Sequence, residues 1–115
     1  MNLETMHPWT LVVIAGLLEI VWALGFKYVP ENAPSIIHIG VYVALIASFI
    51  LLIEGMKHLP AGTAYAVWTG IGATGVAILG MLLFREPITL ARCAFIALIV
   101  IGIVGLRLAH SDKAA

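Results

Sequence analysis

One carboxylate stands apart from the other charged residues of this sequence. Glu19 lies near the middle of an apolar stretch that runs from Trp9 to about Tyr28. An ionised side chain deep in a bilayer costs several kcal/mol, so such residues usually face a cavity and have a function. Because a low dielectric disfavours the charged form, a proton or a cation must neutralise Glu19, and the two compete for it. This competition is the simplest basis for proton-coupled antiport. The alternative is a protonated glutamate that only bonds helices together.

Small and aromatic residues flank Glu19 on the same helix face. Gly16 and Trp22 are its neighbours three positions before and after it, a spacing that places side chains on one face. Gly16 leaves room for a ligand or a closely packed helix. Trp22 offers an indole N–H to the carboxylate or a ring face to a cation, with ordinary core packing as the alternative. In the second apolar stretch, we expect the deep hydroxyl of Ser48 to bond to its own helix backbone.

The third apolar stretch contributes two aromatic residues and several glycines. Tyr65 and Trp68 share a helix face, being three positions apart. An interfacial aromatic belt accounts for Tyr65, whereas Trp68 lies too deep for one. Gly70 and Gly72 predict tight helix packing, the commonest use of membrane glycines. They also form a possible hinge at which the helix bends during alternating access.

The helices that must position these residues are predicted from hydropathy. The chain has 115 residues, of which 63% are hydrophobic and only 10% charged, and its mean hydropathy is +1.12. A soluble domain carries about 25% charged residues, and one crossing of a bilayer takes roughly 20 apolar residues. We therefore predict an all-α membrane protein with a single domain over residues 1–115. The four predicted transmembrane helices cover about residues 9–28, 35–55, 63–84 and 88–108.

Several other functional classes are disfavoured by composition. The formal net charge is zero and no basic patch occurs, so we expect no nucleic-acid partner. The histidines (His7, His38, His58 and His110) are scattered without the spacing of metal ligands. The lone Cys93 lies in an apolar stretch, where packing is its expected role. We therefore predict no metal, no cofactor and no enzymatic activity.

Positively charged residues do not select one orientation in the membrane. An up-down-up-down bundle puts three Lys or Arg residues at each membrane side, whereas an excess at one side normally fixes the topology. These residues are Lys57, Arg107 and Lys113 on one side and Lys27, Arg85 and Arg92 on the other. Either another feature fixes one orientation, or the protein inserts both ways and two opposed copies pair, as inverted repeats do in larger transporters.

The fourth predicted helix is almost purely aliphatic. Gly102 and Gly105 lie on adjacent turns, and small residues let helix backbones approach closely. Since this helix has no polar group that could bind a substrate, we assign it to dimerisation.

Three segments resemble those of the small multidrug resistance transporters: Ala15 to Ala23, Lys27-Tyr28 and Gly62 to Ala73. The resemblance covers essentially all four predicted helices. Within that family the sequence is most similar to the guanidinium exporters. The resemblance implies an antiparallel, dual-topology homodimer in the inner membrane that exports guanidinium and small guanidinyl cations in exchange for protons. It also implies that Glu19 binds both substrate and protons, and that the site is lined by Gly16, Trp22, Ser48, Tyr65 and Trp68.

Three alternatives remain open beside guanidinium export. A broad quaternary-ammonium drug/proton antiporter has the same fold, but the drug-exporting relatives usually carry a small residue where this sequence has Trp22. A dual-topology fluoride-type channel is also a small four-helix dimer, although a passive anion path does not need the Glu19 carboxylate. A membrane assembly subunit without transport activity predicts that Glu19→Gln has no effect.

Overall fold

Four long helices make up nearly all of the chain. A computed structural model describes residues 3–113, apart from the side chains of residues 4 and 110–113, so those of His110 and Lys113 lie outside the described part. A 3-10 turn at Leu3–Thr5 precedes the helices, which are α1 (Pro8–Tyr28), α2 (Ser35–Met56), α3 (Ala61–Leu83) and α4 (Leu90–Lys113). Each is long and apolar enough to cross a membrane. The predicted all-α architecture with four transmembrane helices is therefore confirmed.

Proline marks the start of the first three helices. Pro8 occupies the first turn of α1, and the backbone N–H of Trp9 donates to Nδ1 of His7 at 3.2 Å. Pro34 and Pro60 are the residues immediately before α2 and α3. Proline suits these positions because its fixed φ matches a helix start and its missing N–H would have no partner there.

The third helix ends in an unusual backbone conformation. Arg85 has a φ of 59°, a left-handed geometry that glycine normally supplies at the end of a helix. The backbone N–H of Glu86 then donates to the carbonyl of Gly80 at 3.1 Å. The chain thus turns sharply away from the axis of α3 within two residues.

The fourth helix begins two residues later than the sequence suggested. The hydroxyl oxygen of Thr89 accepts a hydrogen bond from the backbone N–H of Arg92 at 3.1 Å. This contact caps the free N–H groups of the first turn. Thr89 is therefore the cap, and α4 starts at Leu90 rather than at Ile88.

The hydrophobic core lies at one end of the bundle. Helix α1 packs against both α2 and α3, while α4 packs mainly on α3. The core joins the first half of α1, the second half of α2 and the first half of α3, through Trp9, Val12, Ala15, Leu52, Leu59, Ala64, Val67 and Trp68. From Leu17 to Tyr28, no residue of α1 is buried. The protomer is thus closed at one end and open at the other.

Helix α4 exposes most of its surface. No residue from Leu90 to Ala109 is buried, and a Cβ added at Gly102 or Gly105 would meet no described atom within 4 Å. Cys93, expected to pack, is exposed for the same reason. The glycines of α4 are therefore not needed for packing inside the protomer.

Candidate functional site

Glu19 lies where the packed core of the protomer gives way to its open half. Its side chain crosses from α1 to α3 and lies directly against the backbone of Gly72. A Cβ at Gly72 would be 2.8 Å from Cγ of Glu19 and closer still to its carboxyl group. Gly72 therefore provides the space that this carboxyl group occupies.

Two further glycines bring helices together around this position. A Cβ at Gly16 would be 2.8 Å from Cβ of Ile71, so α1 and α3 approach closely one turn before Glu19. A Cβ at Gly70 would be 2.8 Å from Cδ1 of Ile103 on α4. Both contacts are tighter than side chains normally allow. At Gly16 the neighbour is the branched Cβ of Ile71, which explains glycine there, whereas at Gly70 the neighbour is the flexible end of Ile103, which can shift. The hinge role of Gly70 and Gly72 stays a prediction.

Ser48 joins three helices, and the expectation that it bonds to its own helix was wrong. Its hydroxyl is fully buried and donates to the backbone carbonyl of Ala15 on α1 at 2.7 Å. The same oxygen accepts from Nε1 of Trp68 on α3 at 3.0 Å. A buried hydroxyl is satisfied by whichever partner packing brings near, and here Ala15 is small enough to let α1 come close.

Aromatic rings line the space between the helices near Glu19. The ring of Trp22 stacks on Phe49 with centroids 6.3 Å apart, and Phe49 meets Trp68 edge-on at 5.1 Å. Tyr65 lies 5.4 Å from Trp68 and is mostly exposed. The structure thus brings Trp22, Trp68 and Tyr65 into one series of rings. Phe49 was not predicted from the sequence, because it is adjacent to Ser48 and the direction of its ring depends on how α2 packs.

Three side-chain polar atoms are buried without a hydrogen-bond partner among the described residues. They are Oε1 of Glu19, Nε1 of Trp22 and, on α3, Oγ1 of Thr74. Within this protomer, the indole N–H of Trp22 therefore does not donate to Glu19. Buried polar atoms in folded proteins nearly always have partners, so an acceptor and a donor left open one helical turn apart mark a binding site. A carboxylate bordered by aromatic rings attracts a cation.

Two other acidic residues, Glu54 and Glu86, have partners. Glu54 pairs with Lys57 at 3.3 Å. Glu86, which the sequence analysis did not single out, accepts a hydrogen bond from the hydroxyl of Tyr28 and pairs with Arg92 at 3.5 Å. The Tyr28 hydrogen bond, with help from Arg92, lowers the pKa of Glu86 below its usual range. This cluster lies at the open end of the bundle and ties the end of α1 to the loop before α4.

Comparison with known proteins identifies the family. The family model described as "Small Multidrug Resistance protein" matches residues 7–99. The chain belongs to the small multidrug resistance family. The match spans the first three helices and the first half of α4, and so includes every residue of the candidate site.

Curated members of the small multidrug resistance family are similar to this chain over most of their length. A protein of Yersinia pestis named guanidinium exporter is 56% identical over 104 residues, which cover 88% of this chain and 97% of that protein. Guanidinium exporters of Escherichia coli strain K12 and Salmonella typhimurium strain LT2 are 53% and 52% identical over 103 residues, covering 87% of this chain and 95% of each relative.

The four apolar helices and the family together identify this chain as a multi-pass protein of the inner membrane. Family membership also explains a feature of the isolated protomer. A large share of its apolar surface, including most of α4 and, in the second half of α1, Leu17, Val21 and Phe26, is exposed. In a membrane protein, that surface faces lipid or another chain.

Proposed function

We propose that this protein exports guanidinium and small guanidinyl cations across the inner membrane in exchange for protons. The observation that carries the proposal is the buried Oε1 atom of Glu19, which has no hydrogen-bond partner in the described protomer. The names of its relatives, which are 52% to 56% identical, agree with this substrate.

The chemistry of the site suits a guanidinium ion. Guanidinium is planar, permanently charged and rich in N–H donors, and one carboxylate accepts two of its N–H groups in parallel. Because Trp22 and Phe49 stack on each other, the outer faces of the pair are the ones that a flat cation could contact. Ser48 already donates its hydrogen to Ala15 and accepts from Trp68, but a hydroxyl oxygen has a second lone pair. That lone pair is an additional acceptor for a guanidinium N–H.

Exchange with protons follows from the single carboxylate. Glu19 is the only acidic residue deep within a helix, and a charge at that depth is costly. The site therefore switches its opening from one side of the membrane to the other only when Glu19 holds a proton or a cation. In a homodimer with one Glu19 per protomer, two protons entering for each guanidinium leaving would carry one net positive charge inward, driven by about 2.3 kcal/mol per 100 mV.

We further propose that the working unit is an antiparallel homodimer. The site is open because α1 has no buried residue beyond Gly16, so a second copy is needed to complete its walls. The exposed glycines of α4, Gly102 and Gly105, leave room for a helix of the partner. Equal numbers of positive residues on the two membrane sides permit insertion in both orientations.

The test is a transport current from purified protein in proteoliposomes after addition of guanidinium. We expect a saturable current in the wild type that disappears in Glu19→Gln. Glu54→Gln is the matched control, because it makes the same chemical change at a carboxylate paired with Lys57. It should keep the current.

Three other results would each favour a different function. A response to tetraalkylammonium ions but not to guanidinium would indicate a quaternary-ammonium exporter. A passive fluoride conductance that survives Glu19→Gln would indicate a channel. The absence of any transport by folded protein would indicate an assembly subunit.

A further inference from the structure

A second cavity opens at the mouth of the bundle, between the end of α1 and the start of α2. It has a volume of about 170 Å³, and the loop that joins the two helices completes its lining. Beside it the helices touch, since a Cβ added at Gly25 would be 2.6 Å from Cγ2 of Val41. At 1.5 Å per residue, Gly25 is about 9 Å along α1 from Glu19. The cavity is therefore separate from the candidate site and lies at the open end of the bundle.

The acidic residue of this cavity has an unused charge. Glu31 lies in the loop after α1, is exposed and lines the cavity. Within the part of the chain that the structure describes, its carboxylate forms no ion pair and no hydrogen bond, whereas Glu54 and Glu86 each pair with a basic residue. The lining includes no Lys or Arg, and its other titratable side chains are His38 and Tyr42. The carboxylate of Glu31 is therefore available to a cation.

Two aromatic rings line the same cavity. The ring of Phe26 meets that of Tyr42 edge-on, with centroids 5.4 Å apart, and both side chains are about half exposed. The face of such a ring attracts a cation, and a carboxylate accepts two parallel N–H groups from a guanidinium ion. The cavity thus has the same chemistry as the candidate site, namely a carboxylate without a partner beside aromatic rings.

The rings of this cavity extend the series of rings that surrounds Glu19. Phe26 lies one helical turn after Trp22, and their centroids are 5.9 Å apart. Trp22 in turn lies three residues after Glu19. A cation interacts with a ring within about 6 Å of its centroid, so an ion that leaves one of these rings already contacts the next. Tyr42, Phe26 and Trp22 therefore line a continuous aromatic route from the mouth of the bundle to the buried carboxylate.

We propose that this cavity is an outer binding site for guanidinium and small guanidinyl cations, which pass between it and Glu19 along the aromatic route. The choice of ligand rests on the function proposed above. The carboxylate of Glu31 accepts N–H groups of the ion, and the rings of Phe26 and Tyr42 contact its face. A water molecule takes up about 30 Å³ in the liquid, so the cavity has room for an ion of a few heavy atoms. Because the site is open to water, it holds the ion weakly and releases it readily.

The first test measures binding to full-length Glu19→Gln, in which the inner carboxylate is absent. Methyl groups of valine are labelled with carbon-13, and Val29 and Val41 report on the cavity because both line it. Guanidinium chloride should shift their NMR signals in a saturable manner, while Val104 on α4 should not respond. Potassium chloride at equal concentration is the control for ionic strength and should cause no saturable shift. Adding Glu31→Gln should weaken binding about fivefold, the factor that one carboxylate 4 Å from a cation contributes in water.

The second test determines whether the outer site lies on the transport path. In proteoliposomes at low salt, Glu31→Gln should raise the half-saturating guanidinium concentration about fivefold and leave the maximal current unchanged. The difference should disappear in about 1 M salt, where charges are screened over roughly 3 Å. Glu54→Gln changes the net charge equally at a carboxylate paired with Lys57 and is the matched control.

A third variant tests the contribution of the rings. Tyr42→Leu removes one ring of the cavity and should raise the half-saturating concentration about two- to fivefold, the usual contribution of an exposed ring to cation binding. Tyr42→Phe keeps the ring and should rescue this loss. Equal losses in the two variants would mean that the hydroxyl group, and not the ring, is needed.

Three results would overturn the proposal. The first is the absence of a saturable shift at Val29 and Val41, or the same shift with potassium chloride. The second is unchanged binding when Glu31→Gln is added. The third is an unchanged half-saturating concentration in Glu31→Gln at low salt, which would remove the site from the transport path. Since the NMR test uses a variant in which no transport is expected, its result is independent of whether the wild type carries a guanidinium current.

Discussion

The contact between Gly72 and Glu19 makes the substitution Gly72→Ala a direct test of the candidate site. The added methyl group would be 2.8 Å from Cγ of Glu19, whereas ordinary contacts begin at 3.4 Å. Because the carboxyl group is closer still, it has to move by about 1 Å, and displacements of that size can cost about 100-fold in steps that depend on alignment. A charge-assisted hydrogen bond contributes about 1.5–3 kcal/mol. We therefore expect guanidinium affinity to fall by about 10- to 100-fold.

Transport currents at increasing guanidinium concentration measure this change as a shift in the half-saturating concentration. Gly62→Ala is the control, since it adds the same methyl group to α3 where no described atom lies within 4 Å. Alanine favours a helix over glycine by about 1 kcal/mol, so a weakened helix cannot explain a loss in either variant. Half-saturation within twofold of the wild type in folded Gly72→Ala would refute this account of the contact.

A double-mutant cycle tests the contact further. Glu19→Asp shortens the side chain by one methylene and withdraws the carboxyl group from α3. The double variant Glu19→Asp, Gly72→Ala should lose less affinity for guanidinium than the two single variants lose in total, since residues in contact are energetically coupled. Strictly additive losses would mean that the two positions act independently.

Three other substitutions have predicted effects on thermal stability in detergent. Ser48→Ala leaves the buried indole N–H of Trp68 without its acceptor and should destabilise the protein by about 1–3 kcal/mol. Arg85→Gly relieves the left-handed backbone and should stabilise it by about 1 kcal/mol. The hydrogen bond from Tyr28 lowers the pKa of Glu86 in the folded protein. The stabilisation that this hydrogen bond gives is therefore present above the ordinary pKa of 4.5 and is lost as the pH falls through the lower pKa of the folded state. Glu86→Gln should therefore flatten the acid side of the stability profile.

Much of the architecture was predictable, because long apolar runs have few alternatives to membrane helices. Glu19 could also be singled out from the sequence, since an acidic residue in the middle of such a run is rare and expensive, and its role stays a prediction. The start of α4 was placed wrongly because hydropathy does not register a cap, and the side chain of Thr89 decides where that helix begins.

Contacts between helices were harder to predict, because periodicity gives the face of a residue but not its neighbour. Ser48 could have bonded within α2, and only the packing of Ala15 and Trp68 around it shows the actual partners. The contact of Gly72 with Glu19 has the same origin, since it depends on the rotation and depth of α3 relative to α1. The cluster of Tyr28 and Glu86 joins residues 58 positions apart, a distance at which sequence pattern carries no signal.

The hydrogen bonds of Ser48 would also determine how far different parts of α1 travel in a rocking motion of that helix. They fix α1, α2 and α3 to one another at the depth of Ala15, so a rocking motion of α1 pivots near that point. At 1.5 Å per residue, Glu19 is about 6 Å from the pivot and Tyr28 about 20 Å from it. A rotation of about 10° then moves Glu19 by roughly 1 Å and Tyr28 by roughly 3.5 Å along those lever arms. The bound ion would remain almost stationary while the far end of the helix opens or closes a path of molecular width.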